Sequence, residues 1–307
     1  MRVHKKGIGS ILKLVFILFA VFLLFSLYTV KKLTSKSELS LDLSKDKDNS
    51  IGVVEVKGII LESTKIVDNL VSAEKAKEIK AIIVRIDSPG GAVAPTQEIY
   101  EEIKRIDKIK PVYASFGTVA ASGGYYIGAA ARRIYALPGT LTGSIGVLMQ
   151  FNDLSKLYEF IKISPSVVKS GQFKDMGNPA RSLSAKEREL MQDMITGVHK
   201  QFINDILKNR KKLIAGNIID HAQGQIFSGE SAMKLGLIDR LGSLWSAGRE
   251  IHEELKLKGE MKLQFIKQKK TKFPISDFFD YVDDTASFFK GIFSYNKTPL
   301  LLYNLTE

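Results

Sequence analysis

The sequence contains no cysteine and only four histidines among its 307 residues. The lack of cysteine excludes disulfide bonds, thiol catalysis and cysteine-ligated metals. The histidines, His4, His199, His221 and His252, are far apart in the chain, so a zinc site or a histidine-based catalytic triad would be hard to assemble from them. We therefore expect no metal and no other cofactor.

Acidic residues are missing from the first 36 positions, which carry seven lysines and arginines. The formal net charge of the whole chain is +12, and the later positions contribute only 38 basic against 33 acidic side chains. The sequence has no cluster of arginines with interleaved aromatic residues, which argues against a nucleic acid partner. The basic charge therefore points first to a membrane surface.

An apolar run without charge covers residues 14–30, and residues 8–12 extend it past Lys13 to 23 positions. That length suffices for a hydrocarbon core of about 30 Å. A cleaved signal peptide, the competing interpretation, has a shorter apolar region that ends in small residues, whereas residues 28–30 are bulky. We predict one uncleaved helix in the cytoplasmic membrane. The basic N-terminus favours an extracytoplasmic body, although lysines at 31 and 32 oppose that orientation.

Composition divides the chain into four parts. The anchor at 1–32 is followed by a polar stretch at 33–50, rich in serine, lysine and aspartate and typical of a tether. From residue 51 to 257, short apolar runs alternate with amphipathic periods, which predicts one α/β domain with a parallel sheet flanked by helices. Residues 258–307 form an aromatic-rich amphipathic tail that could pack on the body, on a neighbouring subunit or on the membrane.

Within the domain, the pattern predicts strands at 51–56, 81–86, 112–116, 134–137 and 166–169. It predicts helices at 65–78, 94–107, 121–131, 153–162, 184–211, 228–235 and 244–255. Ser184 followed by Glu187 forms a capping box at the start of the longest helix.

Two glycine-rich turns follow predicted strands. Ser122 comes after the strand at 112–116 and before a helix, so we expect an exposed side chain beside the free N–H groups of that helix. The N–H of Gly123 could face a developing oxyanion, and the turn at 87–91 offers a second donor at the same edge of the sheet. Either turn alone is equally well explained by tight packing.

Lys174 is the candidate base for Ser122, because no histidine or cysteine lies between the two positions. A neutral lysine can activate a serine. Burial lowers the pKa of a lysine by up to about 3–5 units, so such a base needs a dry site. Most lysines are solvated surface charges, and the glycines and proline at 169–179 predict only a loop. The residues alone therefore suggest this dyad without establishing it.

The order of several separate motifs resembles the signal peptide peptidase A family in its short form with one protease domain. The motifs are GVVEVKGII, DSPGG, TVAASGGYYI, LTGSIGV, KSGQFKDMGNP and GQIFSGESAMKLGLIDRLGS, which together cover about residues 51–250. The resemblance implies a ClpP/crotonase-like fold, with Ser122 as nucleophile and Lys174 as general base. It also implies oxyanion donors at Gly91 and Gly123, and a lysine-orienting role for Ser144.

The same resemblance implies a membrane-anchored serine endopeptidase that degrades signal-peptide remnants and other extended apolar peptides. Members of the short form assemble into octamers in which neighbouring subunits contribute to each site, so we expect a homo-oligomer. Residues 222–225 depart from the family pattern, because neutral amides replace an acid and a base there. That change puts a local ion pair and a subunit contact in doubt.

Three other interpretations stay open at this point. One is a stomatin-partner membrane protease with the same fold and dyad, although such proteins often carry further C-terminal membrane spans. The second is an acyl-CoA enzyme of the crotonase type, which the apolar N-terminal run and the Ser122 and Lys174 pair disfavour. The third is a non-catalytic oligomeric membrane scaffold. Whether Ser122 and Lys174 meet within one chain or across an interface also stays open.

Overall fold

The computed structural model describes residues 49–210 and 214–266, the backbone of Leu300–Leu302, and three single positions near the N-terminus. The chain divides into two compact units, Met1–Lys47 and Asp48–Glu307. In the first unit, Phe19, Phe22 and Phe25 are helical and exposed.

Most of the predicted anchor at 14–30 and of the tether at 33–50 falls outside the described residues, as does most of the tail after 266. Within the part of the chain that is described, no helix combines the length and the apolar content needed to cross a membrane.

Alternating burial of apolar residues builds the central strands of the second unit. Along one strand, Ile82 and Val84 enter one hydrophobic cluster, whereas Ala81 and Ile83 enter a second cluster on the opposite face of the sheet. The strands are β1 (Ser50–Lys57), β2 (Ile79–Ser88), β3 (Gly90–Ala92), β4 (Val112–Ala121), β5 (Ile134–Ala136), β6 (Leu141–Gly143), β7 (Ile226–Ser228), β8 (Arg240–Leu241), β9 (Lys262–Phe265) and β10 (Leu300–Leu302).

Eight of these strands form one sheet with the order β7-β6-β4-β2-β1-β9, and β5 pairs with both β4 and β8. The β1–β2, β2–β4 and β4–β6 pairs are parallel, as predicted. The predicted parallel sheet is mixed at one edge, because β7 runs antiparallel to β6. β9 pairs with β1, so the sheet continues beyond residue 257.

Helices cover both faces of the sheet. They are α1 (Thr64–Lys75), α2 (Val93–Asp107), α3 (Gly123–Ala129), α4 (Ser155–Phe160), α5 (Ala185–Arg210), α6 (Gly229–Lys234) and α7 (Leu244–Glu254). Residues of α1, α2, α3 and α5 join the larger hydrophobic cluster, and α7 packs on the smaller one. All seven predicted helices are present with small shifts at their ends.

One predicted strand is wrong. Residues 166–169 form no strand and are exposed, and Val168 is completely exposed. The β-branched valines there favour an extended backbone, but no neighbouring strand pairs with them. This segment lies between α4 and α5, on the same stretch of chain as Lys174.

Candidate active site

Ser122 lies where β4 ends and α3 begins, and its backbone has φ 52° and ψ −117°. A non-glycine residue rarely adopts a positive φ, and such turns hold the nucleophile of other hydrolases at the end of a strand. Two hydrogen bonds fix the turn. The N–H of Ser122 donates to Gly143 O at 2.8 Å, and the N–H of Tyr126 donates to Ser122 O at 2.9 Å.

The expectation that the Ser122 side chain is exposed is wrong. The residue is fully buried, and its Oγ has no hydrogen-bond partner among the described residues. A buried hydroxyl without a partner loses its interactions with water and gains nothing in return, so native proteins keep few such groups. The donor and acceptor capacity of the Ser122 Oγ is therefore unused among the described residues.

Two glycines place their backbones against each other beside Ser122. A Cβ on Gly123 would lie 3.2 Å from the backbone nitrogen of Gly91, and a Cβ on Gly91 would lie 2.0 Å from Ile60 O. A side chain at Gly91 would require the backbone to move, and one at Gly123 would be tightly packed against its neighbours. The Gly91 and Gly123 backbones are thus adjacent, as the resemblance implies for two donors that share one oxyanion.

Ser144 follows β6, which pairs with β4 so that Gly143 lies opposite Ala121. Ser122 and Ser144 are therefore the two residues that directly follow the paired residues Ala121 and Gly143. Its φ is 51°, and its N–H donates to Gln225 O at 2.6 Å. Gln225 belongs to the segment at 222–225 that departs from the family pattern, and its contact with Ser144 runs through the backbone carbonyl, which does not depend on residue type. Sequence reasoning missed this support, because it joins positions 81 residues apart.

A cavity of about 390 Å³ opens beside Ser144. Its wall includes Val147 from the loop after β6, and Thr196 and His199 from α5. His199 Nε2 is buried and has no hydrogen-bond partner within the described part of the chain. Across the same residues, no group of three or more acidic, histidine or cysteine side chains is arranged to hold a metal ion.

Lys174 is exposed on the loop between α4 and α5. Its Nζ has no hydrogen bond or ion pair to any described residue, and none links it to Ser122. Within one chain, Ser122, Gly123, Gly91 and Ser144 lie on neighbouring segments, and no hydrogen bond joins the Lys174 side chain to Ser122.

The segment around Lys174 exposes many large apolar side chains. Phe160 is 82% exposed and Val168 is 100% exposed, and α4 buries no residue at all. The other exposed apolar residues of this segment are Leu154, Leu157, Ile161, Ile163, Val167 and Phe173. We call residues 154–173 the exposed apolar segment. Large exposed apolar patches are typical of interaction sites.

The edge of β3 accepts an extended segment of backbone. Leu300–Leu302 pairs with β3 in the antiparallel direction, with Leu301 opposite Gly91. The other edge of β3 is held by Ile60, whose N–H donates to Gly90 O at 2.9 Å and whose O accepts from the Ala92 N–H at 2.7 Å. The strand that carries Gly91 can therefore hydrogen-bond an extended chain next to Ser122.

Known families match this arrangement. Residues 104–258 match peptidase family S49, and residues 54–142 match the Clp protease family, with which the α/β sheet and flanking helices are consistent. The S49 match takes in Ser122, Ser144 and Lys174. The fold and these matches define a serine peptidase, and the chain belongs to peptidase family S49.

Relatives support the same conclusion. A protein of Synechocystis sp., provisionally named a protease, is 40% identical over 194 residues, which are 63% of this chain and 70% of that protein. A protein of Enterococcus faecium, provisionally named signal peptide peptidase SppA, is 34% identical over 60% of this chain and 54% of its own. A solved mutant of the 1510-N membrane-bound stomatin-specific protease aligns over 72% of this chain and 99% of that chain, at 17% identity and a TM-score of 0.45. At that score the likeness carries no argument about function.

Proposed function

We propose that this S49 peptidase cleaves extended apolar peptides, including signal-peptide remnants, with Ser122 as nucleophile and Lys174 as general base. The observation that carries the proposal is the buried, unpaired Ser122 Oγ beside the adjacent backbones of Gly91 and Gly123. A nucleophile, a pair of candidate oxyanion donors and an edge for an extended peptide meet at this point. A purely structural serine would be expected to have a hydrogen-bond partner.

Each step of the reaction uses a group of the chain. Ser122 Oγ attacks the carbonyl carbon of the peptide while its proton passes to the neutral Nζ of Lys174. The N–H groups of Gly91 and Gly123 stabilise the oxyanion. The C–N bond then breaks, and the leaving amine takes the proton from Lys174. A water molecule then loses a proton to Lys174 and attacks the acyl carbon. The bond from that carbon to Ser122 Oγ breaks, and Oγ takes the proton back from Lys174, which releases the acid product and restores both residues.

A neighbouring copy of the chain supplies Lys174 in this proposal. Two observations support it: Lys174 is exposed with no hydrogen bond to Ser122 within one chain, and the apolar side chains of the segment around it are exposed. Packing that segment against a second subunit would remove its apolar side chains from water. It would also remove Lys174 from water, which gives the dry site that a lysine base needs. The hydroxyl of Ser144 would then orient the amine.

The substrate class follows from the edge of β3 and from the relatives. An extended peptide would pair with Gly90–Ala92 as Leu300–Leu302 does, which puts backbone hydrogen bonds next to Ser122. The name of the Enterococcus faecium relative points to signal peptides, which are apolar and reach the enzyme from the membrane. The apolar run at 14–30 would anchor the enzyme in the cytoplasmic membrane, with the peptidase domain outside.

A fluorophosphonate, which reacts with nucleophilic serines, tests the proposal directly. We expect the full chain in detergent to gain one adduct, to have that adduct on Ser122 by peptide mapping, and to lose hydrolysis of a signal-peptide-like fluorogenic peptide in proportion to labelling. Excess unlabelled peptide should slow the labelling. An adduct on another serine, or an unlabelled Ser122 in a preparation that hydrolyses the peptide, would contradict the proposal.

A further inference from the structure

The loop that carries Lys174 is held by ion pairs and turns, since its apolar residues face outward. The N–H of Lys174 donates to Gly171 O and that of Met176 donates to Phe173 O, each at 3.1 Å. These turns fix the backbone on both sides of Lys174. Both hydrogen bonds lie within the loop. A different contact must therefore fix the position of Lys174 relative to the helices and the sheet.

Arg181 makes that contact. Its Nε and Nη2 donate to the two carboxylate oxygens of Asp175 at 3.1 and 2.9 Å, and its Nη1 and Nη2 donate to those of Glu187 at 2.8 and 2.6 Å. One guanidinium thus binds two carboxylates through both oxygens of each, an arrangement that fixes direction as well as distance. We call Arg181, Asp175 and Glu187 the Arg181 cluster.

Glu187 connects the cluster to the body. Its carboxylate accepts from the Ser184 N–H at 2.8 Å, and its own N–H donates to Ser184 Oγ at 3.3 Å, which is the capping box predicted from the sequence. Hydrogen bonding from Arg181 and then from Ser184 lowers the pKa of Glu187 to about 2, so the carboxylate stays charged at neutral pH. α5 then continues into the core, where Phe202 and Ile206 are buried.

Asp175 connects the cluster to the loop, because it is the next residue after Lys174. Lys169 also pairs with Asp175, and its Nζ donates to Gln172 O at 3.0 Å. Both carboxylate oxygens of Asp175 are therefore engaged by other cations. Among the cations of this loop, Lys162 and Lys174 have no ion pair to any described residue.

We propose that Arg181 is a positioning residue for the reaction. By joining Asp175 to Glu187 at the start of α5, Arg181 holds Lys174, the residue before Asp175, in one position. The inference rests on the proposed role of Lys174 as base. Loss of Arg181 breaks the link from Asp175 to Glu187. The loop then keeps the hydrogen bond from the Leu154 N–H to Pro179 O at 2.7 Å and that from Ser182 to Asp153, neither of which involves Asp175, so the amine of Lys174 no longer reaches Ser122 in one fixed geometry. Binding of the peptide at β3 does not involve the cluster.

The test measures kcat and KM separately for Arg181→Ala, Asp175→Asn and the double variant. We expect Arg181→Ala to lower kcat about 10- to 100-fold, the loss that accompanies a small displacement of a reacting group, with KM changed less than about threefold. Asp175→Asn should lower kcat as well. The double variant should lose no more than Arg181→Ala alone, because both changes break the same contact. Arg181→Lys, a point charge that cannot bind both carboxylates in parallel, should recover only part of kcat.

Arg188→Ala is the matched control, since Arg188 is an exposed arginine of α5 with no ion pair among the described residues. It should retain wild-type kcat. All variants are compared at equal assembly size and thermal stability. A wild-type kcat in Arg181→Ala, additive losses in the double variant, or a kcat loss that only follows loss of assembly would overturn the inference. Lys174→Ala, run in parallel, separates the two claims: if it stays active, the proposed base is wrong whatever Arg181 does.

Discussion

Ser122→Ala is expected to lower kcat for peptide hydrolysis by about 10⁴- to 10⁶-fold, the loss seen when a serine peptidase loses its nucleophile. The same change should alter the free energy of unfolding by less than about 1 kcal/mol, because Ser122 Oγ has no hydrogen bond to lose. Turnover of a fluorogenic peptide and thermal unfolding of the same preparation measure the two quantities. The substitution should therefore abolish peptide hydrolysis and leave the free energy of unfolding nearly unchanged.

Ser115→Ala provides the contrast, because Ser115 is equally buried but has a partner. Its Oγ accepts a hydrogen bond from Arg85 Nη1 at 2.9 Å within the sheet. Removing it should cost about 2 kcal/mol of stability, as for other hydrogen bonds to charged groups, and leave kcat unchanged. If Ser122→Ala destabilised the protein as much as Ser115→Ala and kept its activity, Ser122 would be a structural serine.

Lys174→Ala is expected to lower kcat at least about 10³-fold, because the Ser122 proton would have no acceptor. Lys174→Arg should be equally inactive, since a guanidinium stays protonated and cannot act as a base. In the wild type, kcat/KM should rise from neutral to alkaline pH, because general-base catalysis requires the deprotonated form of the base. Steady-state rates between neutral and alkaline pH measure all three.

Lys186→Ala controls for the loss of a positive charge, because Lys186 is exposed on α5 and outside the site. It should keep the wild-type rate and pH profile. A flat wild-type profile over this range, or a Lys174→Arg variant with wild-type turnover, would count against a lysine base.

Much of the fold can be predicted because burial leaves a local pattern. β1 and β2 contain runs of apolar residues that are buried on both faces, and such runs are visible in the sequence. β4 was predicted to end at Phe116, yet it continues to Ala121 because Ala120 and Ala121 pair with β6. Residues 166–169 show the opposite case, where β-branched side chains predict a strand that has no neighbour. Strand pairing depends on residues that are distant in the sequence, so the β-propensity of one segment cannot predict it.

The candidate active site was also only partly predictable from the sequence. The position of Ser122 between a strand and a helix was predictable from its neighbours, as was the proximity of Gly91 at the same sheet edge. The burial of Ser122 was not, because it depends on segments distant in sequence. Lys174 has no local pattern that distinguishes it from a surface lysine, so its role depends on the family resemblance. The ion pairs of the Arg181 cluster could not be predicted either. Arg181 lies six residues after Asp175 and six before Glu187, a spacing that matches neither a helical nor a strand period.

The central claim is that Ser122 of one copy works with Lys174 of another, and mixing two inactive variants tests it most directly. Ser122→Ala and Lys174→Ala chains would be dissociated, combined in equal amounts and reassembled, and peptide hydrolysis would be compared with each variant alone. Random mixing should place an intact Ser122 beside a neighbour's intact Lys174 in about a quarter of the sites, so about a quarter of the wild-type rate should return. A reassembled mixture of wild-type size that stays as inactive as its components would contradict a shared site.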